Sequence, residues 1–146
     1  MPKIKPNHVL LVEDNEGDIL LTTEALEDRD LADKITVIRD GKLAIEFLEN
    51  MAIKDSASLP DIILLDVNLP KKNGHQVLHH IKESLLLKQI PVIMLTTSSS
   101  EKDIMDSYKN HANCYITKPT DVDDFNRAME SIENFWMQTV TLPNNH

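Results

Sequence analysis

Pro60-Asp61-Ile62-Ile63-Leu64-Leu65-Asp66-Val67-Asn68-Leu69-Pro70 is the stretch on which the fold turns. Ile62 to Leu65 run apolar at every position, which suits a strand buried on both faces of a parallel sheet and not one with a wet side. An acid, Asp66, and an amide, Asn68, follow immediately. Outward from this run, four more short apolar segments appear at Val9 to Val12, Ile35 to Ile38, Val92 to Leu95 and Cys114 to Ile116, and each reads as a strand. Between them apolar residues return at intervals of three and four. The rows are Ile19, Leu20, Thr23 and Leu26, then Leu43, Phe47 and Met51, then Val77, Leu78, Ile81 and Leu85, then Ile104 and Tyr108. That spacing is one face of a helix. Strand alternating with helix implies βα units with right-handed crossovers around a parallel sheet. The stretch from Ile53 to Leu59 reads as a loop.

The final element opens at Thr120, a helix N-cap followed by Asp121, Asp123 and Asp124, and carries Val122, Phe125, Met129, Ile132 and Trp136 as a stripe. Such a stripe closes the core or forms a dimer or partner face. With 146 residues the chain suits one core and is short for two. The expected layout is a flexible tail at 1–7, one domain at 8–140 and a second tail at 141–146, with no effector domain.

The net charge of −9, with no basic run longer than Lys71-Lys72, leaves no electrostatic footprint for nucleic acid. No apolar run approaches the roughly 20 residues that span a bilayer. Cys114 is the single cysteine, so an intrachain disulfide is excluded, and a cytoplasmic location is expected. His75 and His79 stand four apart, a metal-binding spacing, but Gln76 replaces the acid of a zinc hydrolase motif, and both read as surface residues.

Polar residues follow the strand runs: Glu13-Asp14 after the first, Asp66 and Asn68 after the third, Thr96 after the fourth and Lys118-Pro119 after the fifth. In an open parallel sheet these carboxyl ends share one edge, and ligands sit where strand order reverses. Glu13, Asp14 and Asp66 would repel one another there unless a cation held them, and an all-oxygen set suits Mg²⁺. A carboxylate beside Mg²⁺ can attack a phosphoryl donor, and Asp66, held by its apolar run, is the best-placed nucleophile. Lys118 supplies a point charge for a phosphoryl oxygen, and Thr96 a hydroxyl donor.

In that order, an acidic pair, an Asp followed by Leu69-Pro70 and Asn73-Gly74, a Thr and a Lys-Pro, the chain from about Val9 to Glu133 resembles the receiver domains of two-component response regulators. The Thr96-to-Ser100 run, the Pro70-Lys71-Lys72 turn and the loop before the third strand look like small regulators associated with cyanobacterial phytochromes. The resemblance implies a flavodoxin-like, doubly wound α/β fold with five parallel strands in order 2-1-3-4-5 and five helices on both faces. It implies that Asp66 is the phosphoacceptor, that Asp14 directly, Glu13 through water and Asn68 through its backbone carbonyl hold Mg²⁺ with it, and that Thr96 and Tyr115 form a switch with Lys118. Tyr115 also fits simple core packing.

The implied donor is a sensor histidine kinase, and the implied output is contact with a downstream or phosphotransfer protein. The responsive surface would be the fourth helix, fifth strand and fifth helix, near Met105, Tyr108, Tyr115 and Phe125, and the same surface is the one for a homodimer. The chain would be a signalling module and not an enzyme acting on other substrates. Two other readings use the same residues. A dehalogenase-type, Mg²⁺-dependent phosphatase also has an Asp nucleophile, but it needs a second acid where Asn68 stands. A phosphorylation-independent adaptor would not need the intact acid and lysine set.

Overall fold

A computed structural model describes residues 6–96, 114–117, 127 and 129–134, with the backbone alone at 96 and 114–117. The five apolar runs are strands: β1 (His8–Val12), β2 (Lys34–Ile38), β3 (Ile62–Asp66), β4 (Val92–Thr96) and β5 (Cys114–Thr117). Helices α1 (Glu16–Asp28), α2 (Gly41–Lys54) and α3 (Gly74–Glu83) alternate with them. All strand pairs are parallel, in order β2-β1-β3-β4-β5. Every residue of β1 and β3 is buried, as continuous apolar runs in a doubly covered sheet require.

Side chains alternate between two cores because successive strand residues face opposite ways. Leu10, Val12, Ile63, Leu65, Val92 and Met94 pack with Ala44, Ile45 and Leu48 of α2 and Val77, Leu78 and Ile81 of α3. Val9, Leu11, Ile62, Leu64, Ile93 and Leu95 pack on the other face with Leu26 of α1 and with Met129 and Ile132 of the helical segment 129–134. Met129 and Ile132 therefore fill the core, as one reading of the last stripe requires. Thr120, Val122, Phe125 and Trp136 lie outside the described residues, as do Ile104, Tyr108 and most of the stretches expected to be the fourth and fifth helices.

Helix boundaries follow local chemistry. Asn15 and Asp40 cap α1 and α2 by accepting from the amides of Asp18 and Leu43, and Asn73 with Gln76 forms a reciprocal capping box on α3. α1 ends in a Schellman turn: Leu31 N donates to Leu26 O and Asp30 N to Glu27 O, with Asp30 at φ 53 where glycine is usual.

The helical faces differ from the expected stripes. α1 buries Thr22 and Leu26 while Leu20 is 57% exposed. α2 buries Gly41, Ala44, Ile45 and Leu48 and leaves Leu43 outside, because the small residues Gly41 and Ala44 set the rotation that brings the helix closest to its neighbours. Leu85 is exposed because α3 stops at Glu83 and Ser84 turns extended. The expected loop at Ile53 to Leu59 instead begins inside α2 and contains a 3₁₀ turn at Ser56–Ser58. Residues 6 and 7 are not a free tail: Pro6 is buried, its carbonyl accepts from Asp33 N, and Asn7 exchanges bonds with Lys34 N and the Asp61 carboxylate.

His8 opens β1 with its ring enclosed. Nδ1 lies 3.2 Å from the Ser58 carbonyl and donates to it, so Nε2 accepts from the Thr36 hydroxyl at 2.7 Å. Burial holds its pKa below the usual 6.5, against the Ser58 bond and the Asp61 charge, and Lys34 pushes the same way as burial. The unfolded chain thus binds the proton first. The stability from a neutral His8 is complete above pH 6.5 and is lost as pH falls from there through the folded-state value. Urea unfolding of wild type should weaken over this window, and His8→Gln should flatten that slope. An identical slope in the variant would remove His8 as its source.

Candidate functional site

The site forms where the chain reverses its order in the sheet. β1 is flanked by β2 and β3, and Val12 pairs with Leu65, so the residues just beyond them, Glu13 and Asp66, meet at the same edge. Both positions are rigid. Glu13 N donates to Ile38 O at 3.0 Å, extending the ladder to β2, and Val67 N donates to Leu95 O at 3.0 Å, extending the ladder to β4.

Glu13 and Asp66 are 1% and 4% exposed, whereas Asp14 is open to solvent. One carboxylate oxygen from each of the three lies within 4.8 Å of the others. Two unit charges at that separation repel by roughly 3 kcal/mol at an effective dielectric of about 20. Such a cluster calls for compensating positive charge, and its all-oxygen donor set fits a hard divalent cation. The remaining hydrogen bonds order it. Asn15 N donates to Glu13 Oε1 at 3.1 Å, and Asn68 N donates to Asp66 Oδ1 at 3.3 Å, which restrains the carboxylate plane.

The loop from Val67 to Asn73 is pinned at both ends. Gly74 N donates to Val67 O, and Gly41 N donates to Pro70 O. Lys72 N also donates to Pro70 O, closing a three-residue turn in which Lys71 takes φ 69, a left-handed conformation that costs a non-glycine residue roughly 1–2 kcal/mol. A Cβ on Gly74 would lie 2.3 Å from the Asp66 carbonyl oxygen, and one on Gly41 would lie 1.8 Å from that of Lys72. These are backbone atoms, so neither contact can be relieved by a rotamer change.

Gly74→Ala is therefore expected to push α3 away from the end of β3, destabilising the chain by about 1–3 kcal/mol in urea unfolding. Wild-type stability in that variant would mean the contact yields freely. Sequence reading noted Asn73-Gly74 but missed this positioning role, and it missed Gly41 altogether. The Asp40-Gly41 pair before an apolar stripe was the available signal.

Of the expected site residues, the structure brings Glu13, Asp14 and Asp66 together and places exposed Asn68 two residues on. Thr96 ends β4, one position beyond the partner of Asp66, and pairs with Thr117. Tyr115 pairs with Met94 inside β5. Lys118 lies outside the described residues, though Thr117 before it ends β5 at this edge.

The response regulator receiver domain model matches residues 9–130. Response regulator Rcp1 of Synechocystis sp. is 44% identical over 138 residues, covering 94% of both chains. A probable methanogenesis regulatory protein, FilR2 of Methanothrix harundinacea, is 42% identical over 90% of this chain and 84% of its own. Among solved structures, the phosphorylated cyanobacterial phytochrome response regulator RcpA superposes with a TM-score of 0.81 at 44% identity, covering 91% of this chain and 95% of that one. The Mn²⁺-bound form of Rcp1 gives 0.80 at 42% identity, covering 92% and 96%. With the acidic crevice at the β1/β3 reversal point and a family match over most of its length, this chain belongs to the response regulator receiver domain family of two-component signalling.

Proposed function

We propose that Asp66 accepts a phosphoryl group from a sensor histidine kinase and that the modified site switches protein contacts. The observation that carries this reading is the convergence of Glu13, Asp14 and Asp66 within 4.8 Å at the reversal point, with the nucleophile held rigidly by β3. Solved structures of a phosphorylated relative and of a Mn²⁺-bound relative support its phosphoryl chemistry and its need for a divalent ion.

In the proposed reaction a carboxylate oxygen of Asp66 attacks phosphorus in line. The O–P bond forms as the P–N bond to the donor imidazole breaks, and that nitrogen keeps the electron pair. Asp66, Glu13 and Asp14, with the Asn68 backbone carbonyl, would hold Mg²⁺, whose chemistry is to offset charge on the phosphoryl oxygens. Lys118 would take one of those oxygens and Thr96 another, and Thr96 with Tyr115 would carry the change to the β4–β5 side. A full receiver unit over 8–140 with five helices, a cytoplasmic setting, a downstream or phosphotransfer protein as target, and a homodimer through the fourth helix, fifth strand and fifth helix complete the proposal.

Incubation with acetyl phosphate tests it. A phosphoryl adduct should form with Mg²⁺ and disappear when a chelator is added first. Equal labelling in the presence of chelator would remove the metal from the reaction.

A further inference from the structure

A second cluster of ligating side chains lies outside the acidic crevice, in a cleft of about 690 Å³ between α2 and α3. His75 and His79 line it from α3, with Glu83 one turn further on and Ile45 opposite on α2. Both ring nitrogens of His75 are shielded from solvent, and neither has a hydrogen-bond partner among the described residues. A ring nitrogen either carries a hydrogen to donate or a lone pair to accept with, so two hydrogen-bonding positions are left unmet, a costly arrangement for buried polar atoms. The expectation that His75 is a plain surface residue is thus corrected, while His79 is exposed.

Residues four apart on a helix have Cβ atoms about 5–6 Å apart, the spacing at which two imidazoles can chelate one ion by side-chain rotation. His80 is committed elsewhere, with Nε2 2.5 Å from Glu49 Oε1 across the same helix pair. We propose that His75 and His79 form a site for a borderline-soft divalent transition ion such as Zn²⁺, with water completing the shell. Among the described residues the one gathering of three or more ligating side chains is the acidic crevice, so the histidine pair offers two ligands and not a closed cage. Nitrogen donors make it chemically distinct from the all-oxygen crevice, which prefers harder ions.

The test uses the whole chain with Mg²⁺ in large excess to fill the acidic crevice. Zn²⁺ should raise the melting temperature of wild type and do so less in His75→Leu and His79→Gln, whose Zn²⁺ affinity should drop at least about tenfold. Cu²⁺, used as a spectroscopic probe, should show nitrogen hyperfine coupling that is lost in both variants and kept in His80→Gln, His111→Gln and His146→Gln. Without added metal His75→Leu should be no less stable than wild type, because the ring nitrogens it removes have no partner among the described residues. Copper bound through oxygen alone, or Zn²⁺ stabilisation and nitrogen coupling unchanged in the His75 and His79 variants, would overturn the site.

Discussion

Asp66→Asn is expected to abolish phosphoryl labelling by acetyl phosphate, a loss on the order of 10³-fold or more. The side chain keeps its shape and keeps an oxygen to accept from Asn68 N, but an amide is no nucleophile toward phosphorus and brings no negative charge to the cation. The fold should survive, since Asp66 sits at the last position of β3 and the ladder bonds that hold it are made by backbone. Unchanged far-ultraviolet circular dichroism beside lost labelling would separate chemistry from folding. Residual labelling at the wild-type rate would move the nucleophile to another residue.

The second large effect concerns the ion. Glu13→Gln combined with Asp14→Asn removes two of the three carboxylates that converge within 4.8 Å. Each lost unit charge beside a divalent ion amounts to several kcal/mol at an effective dielectric of about 20, before solvent and relaxation reduce it. A fall in Mg²⁺ affinity of about 100-fold or more is expected for the pair. Asp14, as the direct ligand of the proposed site, should contribute more than Glu13, which would reach the ion through water, although Glu13 is the more buried. Calorimetric titration of the single and double variants measures this ordering. Labelling should recover in part at high Mg²⁺, because Asp66 itself remains. A double variant that binds Mg²⁺ as wild type does would place the ion elsewhere.

The parts of the molecule that sequence made legible are those ruled by local chemistry along a strand. β1 and β3 are apolar at nearly every position because both sides of the sheet are covered, and that signature survives without tertiary information. The acids at the strand ends were readable for the same reason: a charge directly after such a run has to leave the core at the sheet edge. Helix rotation was harder to read. Leu20, Leu43 and Leu85 fit a periodic stripe, yet burial goes to Thr22, Gly41 and Ala44, since close helix approach is decided by small residues and by contacts such as Gly41 against the Lys72 carbonyl.

Long-range contacts also decided the places where composition misled. Pro6 and Asn7 resemble a frayed start in sequence and are fixed only by bonds to Asp33, Lys34 and Asp61, far along the chain. His75 has the spacing of a surface residue on a polar helix and acquires shielded nitrogens only from what packs around it. Lys118, read from the Lys-Pro pair, belongs to the proposed chemistry and lies outside the described residues.

Mapping the phosphoryl group on the wild-type chain tests the central claim most directly. After reaction with acetyl phosphate and Mg²⁺, peptide mass spectrometry under conditions that preserve acyl phosphates should locate one phosphoryl group on the peptide containing Asp66. Fragmentation should assign it to that residue and not to Asp61. A phosphoryl group on Asp14, on a histidine or on a hydroxyl side chain, with Asp66 unmodified, would contradict the account.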